Sequence, residues 1–118
     1  MKLQPLPLIA PAVLAALAAW PSSAQAQAWC RNRDLSHAER MICRTPALQA
    51  LDRDLNAIYR EAVKATKPGS AVGIRESQHI WLGRRNACGL DEACIRAAYA
   101  KREADLRNYI ATGNLDIE

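Results

Sequence analysis

The sequence lacks several features that would assign it to a well-marked class of enzyme or binding protein. It has no phenylalanine and only two histidines among 118 residues. It has no glycine-rich phosphate loop and no His-Glu-x-x-His motif, and its four cysteines form no Cys-x-x-Cys pair. Its basic residues do not cluster with aromatic residues or form a strongly basic amphipathic face. We therefore expect no catalytic site, no cofactor, and no nucleic-acid or membrane-surface binding.

The N-terminus has the organisation of a cleavable signal peptide. Lys2 supplies a positive start, residues 6–20 are almost wholly apolar, and Ala24-Gln25-Ala26 forms a small-residue cleavage site. A second such site, Ala26-Gln27-Ala28, overlaps the first. A membrane anchor is the alternative, but a spanning helix needs about 20 apolar residues, and this run is shorter and interrupted by prolines. We predict that residues 1–26 are removed on export.

The domain that remains, residues 27–118, is predicted to be a soluble periplasmic or secreted product without a membrane anchor. Trp29 directly precedes Cys30, which does not fit a lipid-attachment motif. Lys2 is the only charge lost with the signal peptide, so the net charge falls from +4 to +3. The charges are mixed along the chain, which gives no sign of a nucleic-acid partner.

Hydrophobic periodicity and capping residues predict an all-α domain, a small disulfide-linked bundle of three to four helices. Ser36 begins a capping-box pattern, and Thr45-Pro46 places an N-cap residue before a proline at the first helical position. Residues 67–70 form a turn, Asp91 caps the last helix and Gly113 ends it. No period-two strand pattern competes. The predicted helices cover about residues 36–43, 46–66, 71–86 and 92–111.

Four charged residues lie on helix stripes that should face the core: Glu39, Asp52, Arg85 and Arg102. A buried charge without a partner is strongly destabilising, so we predict carboxylate–guanidinium pairs between helices among these four. The pattern does not tell which acid meets which base. An alternative is that some of them lie half-exposed at the edges of the stripes. A structural role is favoured over chemistry, because arginine cannot act as a base and the acids would be neutralised.

The even cysteine count in a small exported domain predicts disulfides. The cysteines are Cys30, Cys43, Cys88 and Cys94. We expect local pairing, the first with the second and the third with the fourth, because each bond would join a helix end to its own approach. Pairing between the two halves of the domain is the alternative. A zinc site that included His37 and His79 would require closely spaced ligand pairs, and the C-x12-C and C-x5-C spacings do not supply them.

Several short motifs, taken in order, resemble those of a known family. They are Glu39-x-x-Ile42-Cys43, Leu48-x-x-Leu51-Asp52, Gln78-x-x-Trp81-Leu82-x-x-Arg85 and Tyr99-x-x-Arg102. Together they resemble the N-terminal domain of the LprI-type lysozyme-inhibitor family over about Cys30 to Leu106. The resemblance implies a helical, disulfide-bonded cell-envelope domain with a role in inhibiting lysozyme. The matching positions that could be structural or functional are Glu39, Asp52, Gln78, Trp81, Arg85, Tyr99 and Arg102.

Two functions are compatible with the sequence. The first is a secreted or periplasmic protein that binds lysozyme and presents polar or basic groups to the carboxylates of a glycosidase cleft. Exposed candidates off the stripes are Arg31, Arg33, Arg84 and Asn86. A net charge of +3 would add no long-range attraction to a basic lysozyme. The second is a periplasmic envelope interaction module with an unknown partner and no lysozyme inhibition. The oligomeric state is not encoded in any pattern that we recognise.

Overall fold

The computed structural model describes residues 2–5 and 27–115, and all regular secondary structure within them is helical. No strand occurs in these two ranges, so the predicted all-α class is confirmed. The order of elements is a 3-10 turn at Ala28–Arg31, α1 at His37–Arg44, α2 at Pro46–Ala65, a 3-10 turn at Pro68–Ser70, α3 at Ala71–Asn86 and α4 at Glu92–Thr112.

The predicted signal peptide falls mostly outside this description. Residues 6–26, which hold its apolar run and the first cleavage site, are outside the described residues. Of the helices in the described ranges, none is long and apolar enough to cross a bilayer. Removal of residues 1–26 therefore stays a prediction from the sequence.

The start of α1 is fixed by the capping box that the sequence predicts. The Ser36 hydroxyl accepts a hydrogen bond from the Glu39 amide at 3.1 Å, and the Glu39 carboxylate accepts one from the Ser36 amide at 2.9 Å. Two orphan N–H groups of the first turn are thereby satisfied. Thr45 occupies the N-cap position of α2, but its side chain makes no capping bond; its hydroxyl donates to the Met41 sulfur at 3.6 Å.

Helix α4 begins and ends where its capping residues predict. The Asp91 carboxylate accepts a hydrogen bond from the Cys94 amide at 3.1 Å. Gly113 closes the helix with a φ of 77°, in the left-handed region that only glycine adopts without strain. The connection from α3 to α4 also contains a left-handed glycine, Gly89, with a φ of 61°.

The core lies where the apolar stripes of the helices meet, and α2 and α4 make the most extensive contact. Buried positions recur at helical spacing along each helix, whereas Ile110 near the end of α4 remains 38% exposed. The buried hydrophobic side chains are Ala38, Ile42, Leu48, Leu55, Ile58, Ala62, Ile74, Trp81, Ile95, Tyr99 and Leu106.

Two disulfides join neighbouring elements, which confirms the local pairing. Cys30 bonds to Cys43 at 2.03 Å, and Cys88 bonds to Cys94 at 2.02 Å. The first bond ties the N-terminal 3-10 turn to the end of α1, and the second closes the α3–α4 connection. The turn before α1 is thus covalently held against the bundle, and it carries Trp29 with it.

Candidate functional site

A surface depression of about 350 Å³ opens where the N-terminal turn meets α1, α2 and α3. Its floor is polar and buried, whereas aromatic and aliphatic side chains contribute to its walls. Most of its lining residues belong to the motifs that carried the family resemblance. The lining residues are Trp29, Glu39, Asp52, Asn56, Tyr59, Gln78, Leu82 and Arg85.

Asp52 of α2 is the centre of a hydrogen-bond network beneath this depression. The residue is 3% exposed. Its Oδ1 accepts a hydrogen bond from the Tyr99 hydroxyl at 2.9 Å. Its Oδ2 accepts bonds from Trp29 Nε1 and from Asn56 Nδ2, both at 3.3 Å. One carboxylate therefore joins the N-terminal turn, α2 and α4, and donors surround both of its oxygens.

Arg85 of α3 supplies the positive charge that the buried carboxylate needs. Its Nη1 lies 3.5 Å from Asp52 Oδ1, and its Nη2 lies 3.9 Å from Glu39 Oε2. The predicted pairing between helices is confirmed for these three residues, and one guanidinium serves both acids. The side chain is 4% exposed, which makes this a buried ion pair whose rupture is destabilising.

Further contacts fix the orientation of the Arg85 guanidinium. Nε and Nη2 donate to Asn86 Oδ1 at 3.1 and 2.9 Å, and Nη1 donates to the Tyr99 hydroxyl at 3.3 Å. The guanidinium carbon lies 5.7 Å from the ring centre of Trp29 and 5.6 Å from that of Trp81, within cation–π range. The group is therefore held between two aromatic rings.

Arg102 does not join this ion pair, which corrects the pairing expected for it. Its Nε donates to Gln78 Oε1 at 3.0 Å and its Nη2 donates to Ser77 Oγ at 2.8 Å. Both acceptors are neutral groups on α3, and within residues 27–115 no carboxylate lies within ion-pair distance of Arg102. Burial lowers the pKa of Arg102, because desolvation disfavours its charged form. The four charged stripe residues comprise two acids and two bases, but both acids face Arg85.

Tyr99 and Trp81 link α4 to α3 beside the network. Their rings meet edge to face with centroids 5.2 Å apart, and Trp81 Nε1 donates to the Ala98 carbonyl at 3.0 Å. Burial raises the pKa of the Tyr99 hydroxyl well above its usual range, and the neighbouring Asp52 carboxylate adds to this effect. Tyr99 therefore stays protonated and donates to Asp52.

The surface candidates from the sequence are only partly placed as expected. Arg31, Arg33 and Arg84 are exposed. Asn86 was wrongly predicted to be an exposed contact, because it is half-buried and its carbonyl oxygen accepts two bonds from Arg85.

His37 and His79, which a zinc site would have required as ligands, are both exposed. Among the described residues, no three His, Cys, Asp or Glu side chains group as metal ligands would. The sequence reasoning missed Trp29, Asn56 and Ser77 as network members. The proximity of Trp29 to Cys30 was the only signal for any of them.

The fold and the site together define a small, disulfide-linked helical domain with a buried ion-pair network beneath a preformed surface depression. The seven motif positions are brought together: four form the ion-pair network, Trp81 packs on Arg85, and Gln78 and Arg102 pair beside it.

A family model described as lysozyme inhibitor LprI matches residues 30–112. Because the match covers most of the sequence, the chain belongs to the LprI lysozyme-inhibitor family. No curated protein and no solved structure matches the chain. The description of the family is that of proteins that inhibit lysozyme.

Proposed function

We propose that this protein is a lysozyme inhibitor that is exported from the cytosol and acts in the periplasm or outside the cell. The observation that carries the proposal is membership of the LprI family across residues 30–112. The signal-peptide pattern of residues 1–26 and the two disulfides support the location, since disulfides persist in oxidising compartments.

The surface proposed to contact lysozyme is the rim of the depression. Arg31 belongs to the same 3-10 turn as Trp29, and Arg84 precedes Arg85 at the end of α3. These arginines are exposed, whereas Asp52 and Arg85 of the depression are buried and paired with each other. A rigid floor under an exposed polar rim lowers the entropy that is lost when two proteins associate.

The proposal is tested with protein exported from the full-length gene and purified with its disulfides intact. Lysozymes of several classes are assayed for cell-wall hydrolysis with the protein at micromolar concentration. We expect at least one class to be inhibited, and we expect protein that has been reduced and alkylated to inhibit less. Full activity of every class would refute the lysozyme proposal and favour the envelope module with another partner.

The same preparation tests the proposed export. Its intact mass should correspond to a chain that begins at Gln27, or two residues later if the second cleavage site is used. A purified product that retains residues 1–26 would contradict removal of the signal peptide.

A further inference from the structure

We propose that the depression binds a basic side chain, preferably an arginine, of the protein partner. This binding site is inferred from the chemistry of the depression. The inference rests on the proposed function only where it identifies the partner as lysozyme. At about 350 Å³ the depression is at the small end of ligand pockets, which suits one long side chain better than a larger ligand.

The charge of the lining groups favours a cation. Glu39 and Asp52 are carboxylates, and Arg85 is the only lysine or arginine among the lining residues. One guanidinium faces two acids, so the named lining residues carry a formal charge of −1, although Arg31 and Arg84 lie near the rim and the chain as a whole is positive. A partner cation would restore the balance in a partly desolvated place, where such pairing is stronger than in water.

Glu39 is the lining carboxylate with unused hydrogen-bonding capacity. Asp52 already accepts three hydrogen bonds at 2.9 to 3.3 Å. By contrast, within residues 27–115 Glu39 accepts a hydrogen bond only at Oε1, from the Ser36 amide. Glu39 Oε2 lies 3.9 Å from Arg85 Nη2, too far for a hydrogen bond, and the side chain is 24% exposed. A donor entering from solvent can therefore reach Glu39 Oε2.

The aromatic and aliphatic walls of the depression would also contact the bound arginine side chain. Trp29, Tyr59 and Leu82 are half-buried, and each contributes surface to the depression. Arg85 already lies over the Trp29 ring, so the ring is compatible with a guanidinium, and a second one would use the surface that Arg85 leaves uncovered. Arginine suits such a place better than lysine, because its planar guanidinium both stacks on rings and binds carboxylates in a fixed geometry. A neutral glycan could donate hydroxyl hydrogen bonds to Glu39, but it would not neutralise the charge of the carboxylate.

The test uses the exported protein and its Glu39→Gln variant. Glutamine keeps the carbonyl oxygen that accepts the Ser36 amide, so the capping box survives while the negative charge is removed. Glu103→Gln is the matched control: it removes the same charge from an exposed pair with Arg107 on α4. Urea unfolding of the three proteins verifies that they fold alike.

The probe is a blocked Gly-Arg-Gly peptide, compared with the same peptide containing neutral citrulline. Binding is followed by the NMR shift of the Trp29 indole N–H, with the Trp81 indole as an internal reference. We expect saturable, millimolar binding of the arginine peptide, and binding weaker by about tenfold or more in Glu39→Gln, which corresponds to about 1.4 kcal/mol. The citrulline peptide should give no saturable shift, and Glu103→Gln should behave as wild type.

Several results would overturn the inference. They are equal binding of the two peptides, no saturable shift with the arginine peptide, equal behaviour of Glu39→Gln and Glu103→Gln, or saturable binding of a neutral chitooligosaccharide at Trp29. The last result would make the depression a glycan site.

Measurements with lysozyme distinguish a failure of this inference from a failure of the proposed function. For any lysozyme that the wild type inhibits, the Kd of Glu39→Gln should rise by about tenfold, and that of Glu103→Gln should not change. Inhibition that is unaffected by Glu39→Gln would refute the inference and leave the proposed function intact. Specific binding of the arginine peptide by a protein that inhibits no lysozyme would do the reverse.

Discussion

Replacing Asp52 with asparagine should strongly destabilise the protein, although the substitution only exchanges one carboxylate oxygen for an NH₂ group. The carboxylate is the nearer of the two counter-charges of the buried Arg85 guanidinium, at 3.5 Å against 3.9 Å for Glu39. It also accepts hydrogen bonds on both oxygens, from Tyr99 on one side and from Trp29 on the other. An asparagine side chain can satisfy only one of these sides, because its NH₂ group must face donors on the other.

The magnitude follows from the burial of this pair. Breaking a buried ion pair by removing one partner costs about 3–5 kcal/mol. Glu39 remains near Arg85 in the Asp52→Asn variant and asparagine keeps one acceptor oxygen, so we expect the lower end, about 3 kcal/mol. For a domain of this size, each kcal/mol lowers Tm by about 4–8 °C, which gives a loss of about 12–24 °C.

The assay is urea unfolding followed by tryptophan fluorescence, with Tm measured separately by circular dichroism. Asp54→Asn is the matched control, since it makes the same chemical change two residues away on the exposed face of α2. Surface substitutions of this kind usually change stability by less than about 0.5 kcal/mol. Combining Asp52→Asn with Arg85→Met should cost less than the sum of the two single changes, because the double variant leaves no uncompensated guanidinium.

Two outcomes would refute the reasoning. If Asp52→Asn and Asp54→Asn were equally stable, the Asp52 network would not contribute to folding stability. If the effects of Asp52→Asn and Arg85→Met were additive, the two residues would not act as a pair.

Three further predictions concern the surroundings of the network. Trp81→Phe should lower the free energy of unfolding by about 1–2 kcal/mol, because it removes the bond to the Ala98 carbonyl; an unchanged urea midpoint would contradict this. The raised pKa of Tyr99 means that the folded state keeps a proton that the unfolded chain releases above about pH 10, so stability should fall as pH rises through that value, by up to about 1.4 kcal/mol per pH unit. Tyr99→Phe should flatten that dependence in urea titrations at successive pH values, and an equally steep profile would argue against it. Replacing Cys88 and Cys94 together with alanine should cost about 2.4 kcal/mol in the chain-entropy account, measured against the oxidised wild type.

The helices were predictable because their signals are local. Ser36 and Asp91 act as N-caps through hydrogen bonds to residues three positions away. The Cys88–Cys94 bond is also local, because its two cysteines flank one short turn. The apolar periodicity placed Asp52 and Arg85 inside the bundle, and the physics of buried charge then required a partner for each.

The partners themselves depend on how the helices are rotated and crossed, which no local pattern encodes. Two acids and two bases suggested two pairs. In the bundle, Glu39 and Asp52 both face Arg85, and Arg102 meets the neutral Ser77 and Gln78 of α3. The position of Trp29 was equally unpredictable from local patterns. Trp29 lies outside the four α-helices, and the disulfide of its neighbour Cys30 ties its turn to α1.

The Cys30–Cys43 bond makes the firmness of one wall of the depression dependent on oxidation. In a reduced chain the turn that bears Trp29 would lose its covalent tether to α1. Trp29 would then be held only by non-covalent contacts, such as its hydrogen bond to Asp52 and its contact with Arg85. If the protein is exported as we propose, this bond would couple a firmly fixed depression to arrival in an oxidising compartment.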